Sequence, residues 1–141
     1  MANAVEKKTT YLVIKTPEKS FYEGPVEQVI VETPDGQIGI LPNHMYMATA
    51  CVPGPMAFKV DGKWKHAFLS EGFISIDADK VAILADTAEW PEEIDANRAR
   101  RAEQRALERL QGQLSHQDYI RSRAALQRAF ARLKVSSMKN I

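Results

Sequence analysis

The sequence predicts a β + α protein, in which an N-terminal β-sandwich or flattened barrel is followed by a C-terminal α-helical hairpin. Two observations support this prediction. Residues 9–88 contain short β-branched or aromatic runs separated by turn signals, and they show no helical period. From residue 91 onward the chain is rich in Ala, Arg, Glu, Gln and Leu, which are good helix formers. We therefore assign residues 1–90 to the sandwich and residues 91–141 to the hairpin.

Six runs in the first part are predicted to be strands, because each is short and rich in β-branched or aromatic residues. They are TTYLVIK at 9–15, VEQVIVET at 26–33, MAFKV at 56–60, KHAFL at 65–69, FISID at 73–77 and KVAILAD at 80–86. Turn signals rich in Pro, Gly and Asp lie between them, at 34–36, 53–55, 61–62 and 77–80. Asp61-Gly62 is the strongest hairpin signal, since a tight primed turn requires positive φ angles.

The second part is predicted to be a helical hairpin with two narrow apolar stripes. The first stripe recurs at three and four residues and consists of Ala99, Ala102, Ala106, Leu110 and Leu114. Residues 112–118 break the pattern, and Ser115 with Asp118 resembles the capping box that opens a second helix. The second stripe consists of Tyr119, Leu126, Phe130 and Leu133. Because a buried methyl contributes only about 0.8 kcal/mol, an alanine-rich hairpin should be held weakly and should open while the sandwich stays folded.

Charge is distributed unevenly between the two parts. All nine arginines lie between Arg98 and Arg132, although the formal net charge of the chain is only +1. Residues 1–90 carry eight lysines and twelve acids, a net charge of −4. Residues 91–141 carry nine arginines, two lysines and six acids, a net charge of +5. The near-neutral total and the acidic first part argue against a nucleic-acid partner.

The sequence has no pattern typical of a catalytic or metal site. The single Cys51 cannot form an internal disulfide, and His44, His66 and His116 lack the spacing of metal ligands. Neither a serine elbow nor a glycine-rich phosphate loop is present. No window resembles a signal peptide or approaches the roughly 20 apolar residues of a membrane span. We expect a non-catalytic protein without a metal and without direct membrane insertion, which partners can hold at a membrane.

The arginines of the two predicted helices should come together. In an antiparallel hairpin, Arg98 lies near Arg132 and Arg101 lies near Arg128, with Arg105 one turn closer to the bend. Three arginines of the first helix have an acid three residues away, which is typical of a solvated face with local ion pairs. These pairs are Asp95–Arg98, Arg100–Glu103 and Arg105–Glu108.

The arginines of the second helix have no such partners. Arg128 and Arg132 are four residues apart, and no acid lies within four residues of either. Like charges at this spacing destabilise a helix by a few tenths of a kcal/mol. Guanidinium groups match phosphate and carboxylate oxygens well. The sequence therefore predicts an anion from outside the helix, either a polyphosphate ligand or an acidic protein surface.

Three segments carry a resemblance to a known family. They are TPDGQIGILPNH at 33–44, EGFISIDADKVAILADTAE at 71–89 and IDANRA at 94–99. In this order, on a β-part followed by a helical hairpin, the chain resembles the epsilon subunit of F-type ATP synthases of the bacterial, ATP-binding type. The resemblance extends from about Tyr11 to Met138. It departs from the family at Glu71, where a glycine is usual, and after His44, where a proline is usual.

The resemblance implies a regulatory ligand, ATP with or without magnesium, bound to the closed hairpin. IDANRA matches the family's ATP-binding motif, and further arginines and one acid are expected to join it. The implied ATP-binding residues are Glu89, Ile94, Asp95, Arg98, Ala99, Arg105, Arg128 and Arg132. No catalytic residue is implied.

The resemblance also implies a place in a larger assembly. It indicates a non-catalytic central-stalk subunit of the rotor of a proton- or sodium-translocating ATP synthase, peripheral at the cytoplasmic face of the bacterial cell membrane. The sandwich would dock on the gamma subunit and the c-ring, and the opened hairpin would reach the alpha and beta catalytic subunits and stop hydrolysis. A free-standing nucleotide- or anion-binding module outside any rotary complex is the alternative.

Overall fold

The computed structural model describes residues 8–138 and confirms the predicted fold class. Within this range, ten strands form two five-stranded sheets, and two helices follow them. The strands are β1 (Thr10–Lys15), β2 (Ser20–Val26), β3 (Gln28–Thr33), β4 (Gly36–Ile40), β5 (Met47–Cys51), β6 (Gly54–Val60), β7 (Lys63–Leu69), β8 (Gly72–Ile76), β9 (Lys80–Ala85) and β10 (Ala88–Glu89). The helical part consists of a short 3-10 helix (Pro91–Glu93), α1 (Ala96–Leu110) and α2 (His116–Ser136).

The strand order brings the hairpin to one face of the sandwich. The first sheet has the order β2-β1-β9-β8-β5, and the second has the order β10-β7-β6-β3-β4. β1 and β9 pair in parallel, whereas the other pairings described are antiparallel. After β9 the chain crosses to the second sheet, where β10 pairs with the end of β7. The helices therefore begin at the edge of the second sheet, and α2 packs on β6 and β7.

Four strands are absent from the sequence prediction, namely β2, β4, β5 and β10. β2 contains Gly24 and Pro25, and β4 contains two glycines, which lowers their intrinsic preference for strands. Pairing with stronger neighbours forms them: β2 pairs with β1, β4 with β3, and β5 with β8. The predicted run at 26–33 is likewise divided, because β2 ends at Val26 and β3 begins at Gln28.

The predicted turns differ in outcome. Asp61 and Gly62 have φ angles of 51° and 77° and join β6 to β7, which confirms the hairpin. The turn predicted at 53–55 is wrong over its last two residues. Gly54 and Pro55 belong to β6, where they pair with β7.

The main core lies between the two sheets. Its largest fully buried members are Phe58, Leu12, Ile14, Ile40, Met56, Ile74, Ile76 and Ile83. Trp90 packs against the edge of this core, with its ring centroid 4.3 Å from that of Phe21 and 6.1 Å from that of Phe58. The packing of the sandwich therefore extends to Trp90, beyond the last predicted strand, which ends at Asp86.

The helices contact each other through small residues. α1 buries Ala99 and Ala106, and α2 buries Ser122 and Ala129. Ser115 caps the start of α2 as predicted, because its side chain accepts a hydrogen bond of 3.2 Å from the backbone N–H of Asp118. Small side chains allow the helix backbones to approach closely, so the larger side chains lie on the outside.

The apolar stripe predicted for the second helix is therefore wrong in part. Phe130 is 63% exposed and Tyr119 is 44% exposed. Ala131 and Val135 of α2 are buried instead, against Phe68 on β7 and the partly buried Ile94. The sequence prediction placed the largest apolar side chains of α2 in the buried stripe. In the structure, α2 contacts the sheet through the smaller Ala131 and Val135.

We predict that a fragment of residues 1–93 folds without the hairpin, because the members of the main core all precede residue 91. It should show a cooperative β-type thermal transition by circular dichroism. A fragment of residues 1–88 is the matched control. It lacks Trp90 and should melt at a lower temperature, since an aromatic pair contributes about 0.5–1.5 kcal/mol beyond its buried area. A non-cooperative transition of the longer fragment would show that the hairpin belongs to the core.

Candidate functional site

A cleft with a volume of about 380 Å³ lies between α1, α2 and the end of the sandwich. It is called the arginine cleft below. Its lining residues are Glu89, Glu93, Asp95, Arg98, Ala99, Ala102, Arg105, Ala125, Arg128, Ala129 and Arg132. Seven of the eight residues predicted as a binding site are thus brought together, and Ile94 is the exception. Sequence reasoning did not assign four further lining residues to the site. They are Glu93 and three alanines at positions 102, 125 and 129, and the alanines form a small-residue surface between the helices.

Arg132 is held by two groups of the sandwich. Its Nε donates a hydrogen bond of 3.0 Å to Oε2 of Glu89, in an ion pair whose side chains are both less than a third exposed. Its guanidinium carbon lies 4.6 Å from the centroid of the Phe68 ring, within the range of a cation–π interaction. Both contacts run from α2 to the second sheet. Together they fix the Arg132 side chain and hold α2 against the sandwich.

Within residues 8–138, Arg128 has one charged partner in the sandwich. Its Nη1 lies 3.4 Å from Oε1 of Glu71, the residue just before β8. The sequence predicted an anion from outside for Arg128 and Arg132, but the structure supplies carboxylates from the sandwich of the same chain. The sequence reasoning considered only acids within four residues, whereas Glu71 and Glu89 come from the sandwich. No linear signal relates residue 71 to residue 128.

Arg98 and Arg105 have no side-chain partner in the part of the chain that the structure describes. Of the nine arginines, only Arg128 and Arg132 form ion pairs within residues 8–138. The local pairs predicted along α1 do not form, and Nη1 of Arg100 donates to Oδ1 of Asn97 at 2.7 Å. Arg98 and Arg105 are exposed and line the cleft, which leaves their guanidinium groups available to a ligand.

Arg98 and Arg132 share the cleft as predicted, but Arg101 does not lie opposite Arg128 there. Arg105 lines the cleft with Arg128, and Arg101 is exposed outside it.

The IDANRA segment divides into residues with different structural roles. The Asp95 side chain caps α1, because its Oδ1 accepts a hydrogen bond of 3.0 Å from the backbone N–H of Arg98. Ile94 packs on the small cluster of Phe68, Ala131 and Val135 and does not line the cleft. Ile94 thus attaches the start of α1 to the sandwich, Asp95 caps the helix, and Arg98 lines the cleft.

The composition of the cleft favours an anion. Four arginines face three carboxylates, and two of the arginines have no acidic partner. The volume is within the range of about 300–1,000 Å³ typical of small-molecule sites. The described lining contains no Ser, Thr, Cys or His, so the cleft offers no hydroxyl or thiol nucleophile and no imidazole base. Residues 8–138 hold no group of three His, Cys, Asp or Glu side chains placed to bind a metal ion.

A larger cleft of about 680 Å³ lies on the other side of α2, next to the start of β6. Its walls are mainly apolar and include Leu107, Leu126 and Phe130. Its charged residues are Glu32, Glu103, Arg123 and Lys134, and their formal charges sum to zero. Size alone would favour this cleft, but its charge gives no preference for an anion, and we place the candidate site in the arginine cleft.

A separate apolar surface lies on the sandwich. Phe73 of β8 and Leu84 of β9 are register partners on the outer face of the first sheet, and both are largely exposed. Met45 and Tyr46, just before β5, are more exposed still. Within the described range, no helix has the length and hydropathy needed to cross a membrane.

The fold and the site together define a two-part protein, a β-sandwich that carries a helical hairpin with an arginine-lined cleft. Two family models match its parts in order. The model described as "ATP synthase, Delta/Epsilon chain, beta-sandwich domain" matches residues 9–91, and "ATP synthase, Delta/Epsilon chain, long alpha-helix domain" matches residues 92–137. The chain belongs to the ATP synthase delta/epsilon chain family.

Curated relatives agree with this family. The "ATP synthase epsilon chain" of Caldanaerobacter subterraneus subsp. tengcongensis is 50% identical over 131 residues, which is 92% of this chain and 95% of the relative. The protein of the same name from Ruminiclostridium cellulolyticum is 47% identical, over 93% of this chain and 98% of the relative. The resemblance to the epsilon subunit of ATP synthases is thereby confirmed.

Solved structures share the fold. A chain of the mitochondrial ATP synthase of Euglena gracilis superposes with a TM-score of 0.82 at 22% identity, covering 94% of this chain and 83% of that one. A chain of the central stalk and c-ring structure of the Tetrahymena thermophila enzyme gives a TM-score of 0.65 at 16% identity, covering 92% and 97%. At these identities the likeness concerns the fold alone.

We predict that Ile94→Ala weakens the attachment of the hairpin, because Ile94 packs under α2 rather than in the cleft. The free energy of unfolding in urea should fall by about 2 kcal/mol, the lower end for an Ile→Ala change, since Ile94 is only partly buried. Ile120→Ala on the exposed face of α2 is the matched control and should change it by less than about 0.5 kcal/mol. Equal effects of the two substitutions would contradict this role for Ile94.

Proposed function

We propose that this protein is a central-stalk subunit of the rotor of an F-type ATP synthase, and that its closed hairpin binds ATP as a regulatory ligand. The observation that carries the proposal is the arginine cleft, in which four guanidinium groups from two helices converge in a chain of the delta/epsilon family. The subunit itself is proposed to be non-catalytic.

The rotor role is supported by the relatives and by the apolar surface of the sandwich. The relatives that match more than 90% of the chain are named ATP synthase epsilon chain. The exposed Phe73 and Leu84 form an apolar surface of the kind that protein partners cover, and Met45 and Tyr46 just before β5 are exposed as well. We assign this side of the sandwich to docking on the gamma subunit and the c-ring of a proton- or sodium-translocating enzyme. Such docking would hold the subunit peripherally at the cytoplasmic face of a bacterial membrane.

The proposed ATP pose follows from the charges of the cleft. The triphosphate lies against the unpaired Arg98 and Arg105 and recruits Arg128 and Arg132 from α2. Charge-assisted bonds of this kind are about twice as strong as neutral ones. Glu89 and Asp95 would repel phosphates, so the adenosine end lies on their side, and magnesium carried by the nucleotide would lessen the repulsion. Ala99 leaves room for close approach between the helices.

Regulation is proposed to use the weak attachment of the hairpin. The contact between the helices consists largely of alanines, and the contact of α2 with the sheet centres on Phe68. Opening would break few buried contacts and would release Arg128 and Arg132 from their sandwich carboxylates. The freed basic helix could then reach acidic segments of the alpha and beta catalytic subunits and stop hydrolysis. ATP bound across both helices would oppose opening.

We predict that Arg132→Ala weakens ATP binding to the isolated full-length subunit by roughly ten- to a hundredfold, because a hydrogen bond to a charged group contributes about 1.5–3 kcal/mol. Isothermal titration calorimetry with ATP, and with ADP for comparison, measures the effect. Arg109→Ala is the control, since Arg109 lies on α1 but does not line the cleft, and it should leave the affinity unchanged. Equal affinities of the wild type and an Arg98→Ala, Arg132→Ala double variant would rule out the site.

We predict that removal of residues 115–141 raises ATP hydrolysis by the assembled enzyme at low ATP, because the proposed inhibitory helix is then absent. The subunit should still co-purify with gamma and the c-ring, since the main core and the apolar surface remain. Unchanged hydrolysis with assembly verified would contradict the regulatory role. Failure of the intact subunit to co-purify with a membrane-bound complex would favour the alternative, a free-standing anion-binding module.

A further inference from the structure

Glu71 is held in a fixed position beside α2. A Cβ added at the following residue, Gly72, would collide with the carbonyl oxygen of Leu84, so the two backbones are in close contact. The backbone carbonyl of Glu71 also accepts a hydrogen bond of 3.1 Å from the N–H of Asp86. The carboxylate of Glu71 is thereby presented to Arg128 from the start of β8, an inner strand of the first sheet.

The two ion pairs that connect α2 to the sandwich differ in strength. The Arg132 pair is short and is supported by the Phe68 ring. The Arg128 pair is longer, at 3.4 Å, and its carboxylate is 44% exposed. Arg128 therefore loses less when it turns away from its carboxylate, and it also lines the cleft.

We propose that Glu71 regulates the arginine cleft by competing with the anionic ligand for Arg128. This inference rests on the proposed function, in which the cleft binds ATP. Without a ligand, the Glu71–Arg128 pair stabilises the closed hairpin. When a polyphosphate binds, Arg128 moves to the phosphate oxygens, and the pair is lost.

Removal of the Glu71 charge should lower the closed fraction of the ligand-free protein and should increase its affinity for the ligand. The ligand-free closed form loses an ion pair, so the closed fraction without ligand decreases. The ligand-bound form has already given up that pair and is also relieved of a nearby negative charge, so binding becomes tighter. Since a half-exposed ion pair contributes up to about 1 kcal/mol, the dissociation constant should fall by about two- to fivefold. A purely structural role of Glu71 would instead weaken both closure and binding.

The test compares the full-length wild type with Glu71→Gln, which keeps the size of the side chain and removes its charge. Glu23→Gln is the matched control, because Glu23 is also 44% exposed and lies 3.9 Å from a cationic partner, Lys15, on the first sheet. Calorimetry with ATP and with inorganic tripolyphosphate gives the affinities. The second probe shows whether the phosphates alone respond to the substitution.

Closure is measured separately, as the distance between spin labels on Lys63→Cys in β7 and Arg121→Cys in α2, two exposed positions. The native Cys51 should not react with the label, because its side chain is buried. Burial also raises the pKa of its thiol, which lowers the fraction of reactive thiolate.

We expect Glu71→Gln to bind both probes two- to fivefold more tightly and to be less closed without ligand, while Glu23→Gln matches the wild type. Equal or weaker binding by Glu71→Gln, or an unchanged closed fraction, would overturn the inference while leaving the ATP site in place. Absence of ATP binding by the wild type would overturn the inference and the proposed ATP site together.

Discussion

The docking of α2 on the ring of Phe68 determines where the arginine cleft can form. Phe68 lies on β7 and is fully buried, although it is not part of the core between the sheets. Ala131, Val135 and Ile94 cover it, and the guanidinium of Arg132 lies over its face. The same ring thus anchors the helix and orients one of the cleft's four arginines. If α2 left this ring, the cleft would lose one of its walls.

Two kinds of packing coexist in this chain, and their difference separates stability from regulation. The core between the sheets buries large side chains such as Phe58, Met56 and Ile74, each worth about 1.5–3 kcal/mol. The hairpin buries mainly alanines and a serine, whose contributions are far smaller. Charge then has a larger share in holding the hairpin, through Glu71 and Glu89. An attachment that depends on ion pairs responds to an anionic ligand, whereas an apolar core does not.

Much of the fold follows from local sequence, and the failures have a common cause. Alternating β-branched runs located six strands, and Asp61-Gly62 located a hairpin, because these signals are complete within a few residues. The strands β2, β4 and β5 form through pairing with distant segments, which no local pattern contains. The same limit affected the site. The motif and the arginine spacing located the cleft, but Glu71 pairs with a residue 57 positions away.

The parallel pairing of β1 with β9 has a consequence for biosynthesis. β9 lies at the centre of the first sheet, between β1 and β8, so this sheet cannot be completed until residue 85 has left the ribosome. The second sheet joins β3, β4, β6 and β7 through shorter separations in the chain and can assemble earlier. Contacts between distant segments form slowly because a long loop must close first. The helical hairpin is made last, so a nascent chain passes through a stage in which the sandwich is complete while the Phe68 ring is still uncovered.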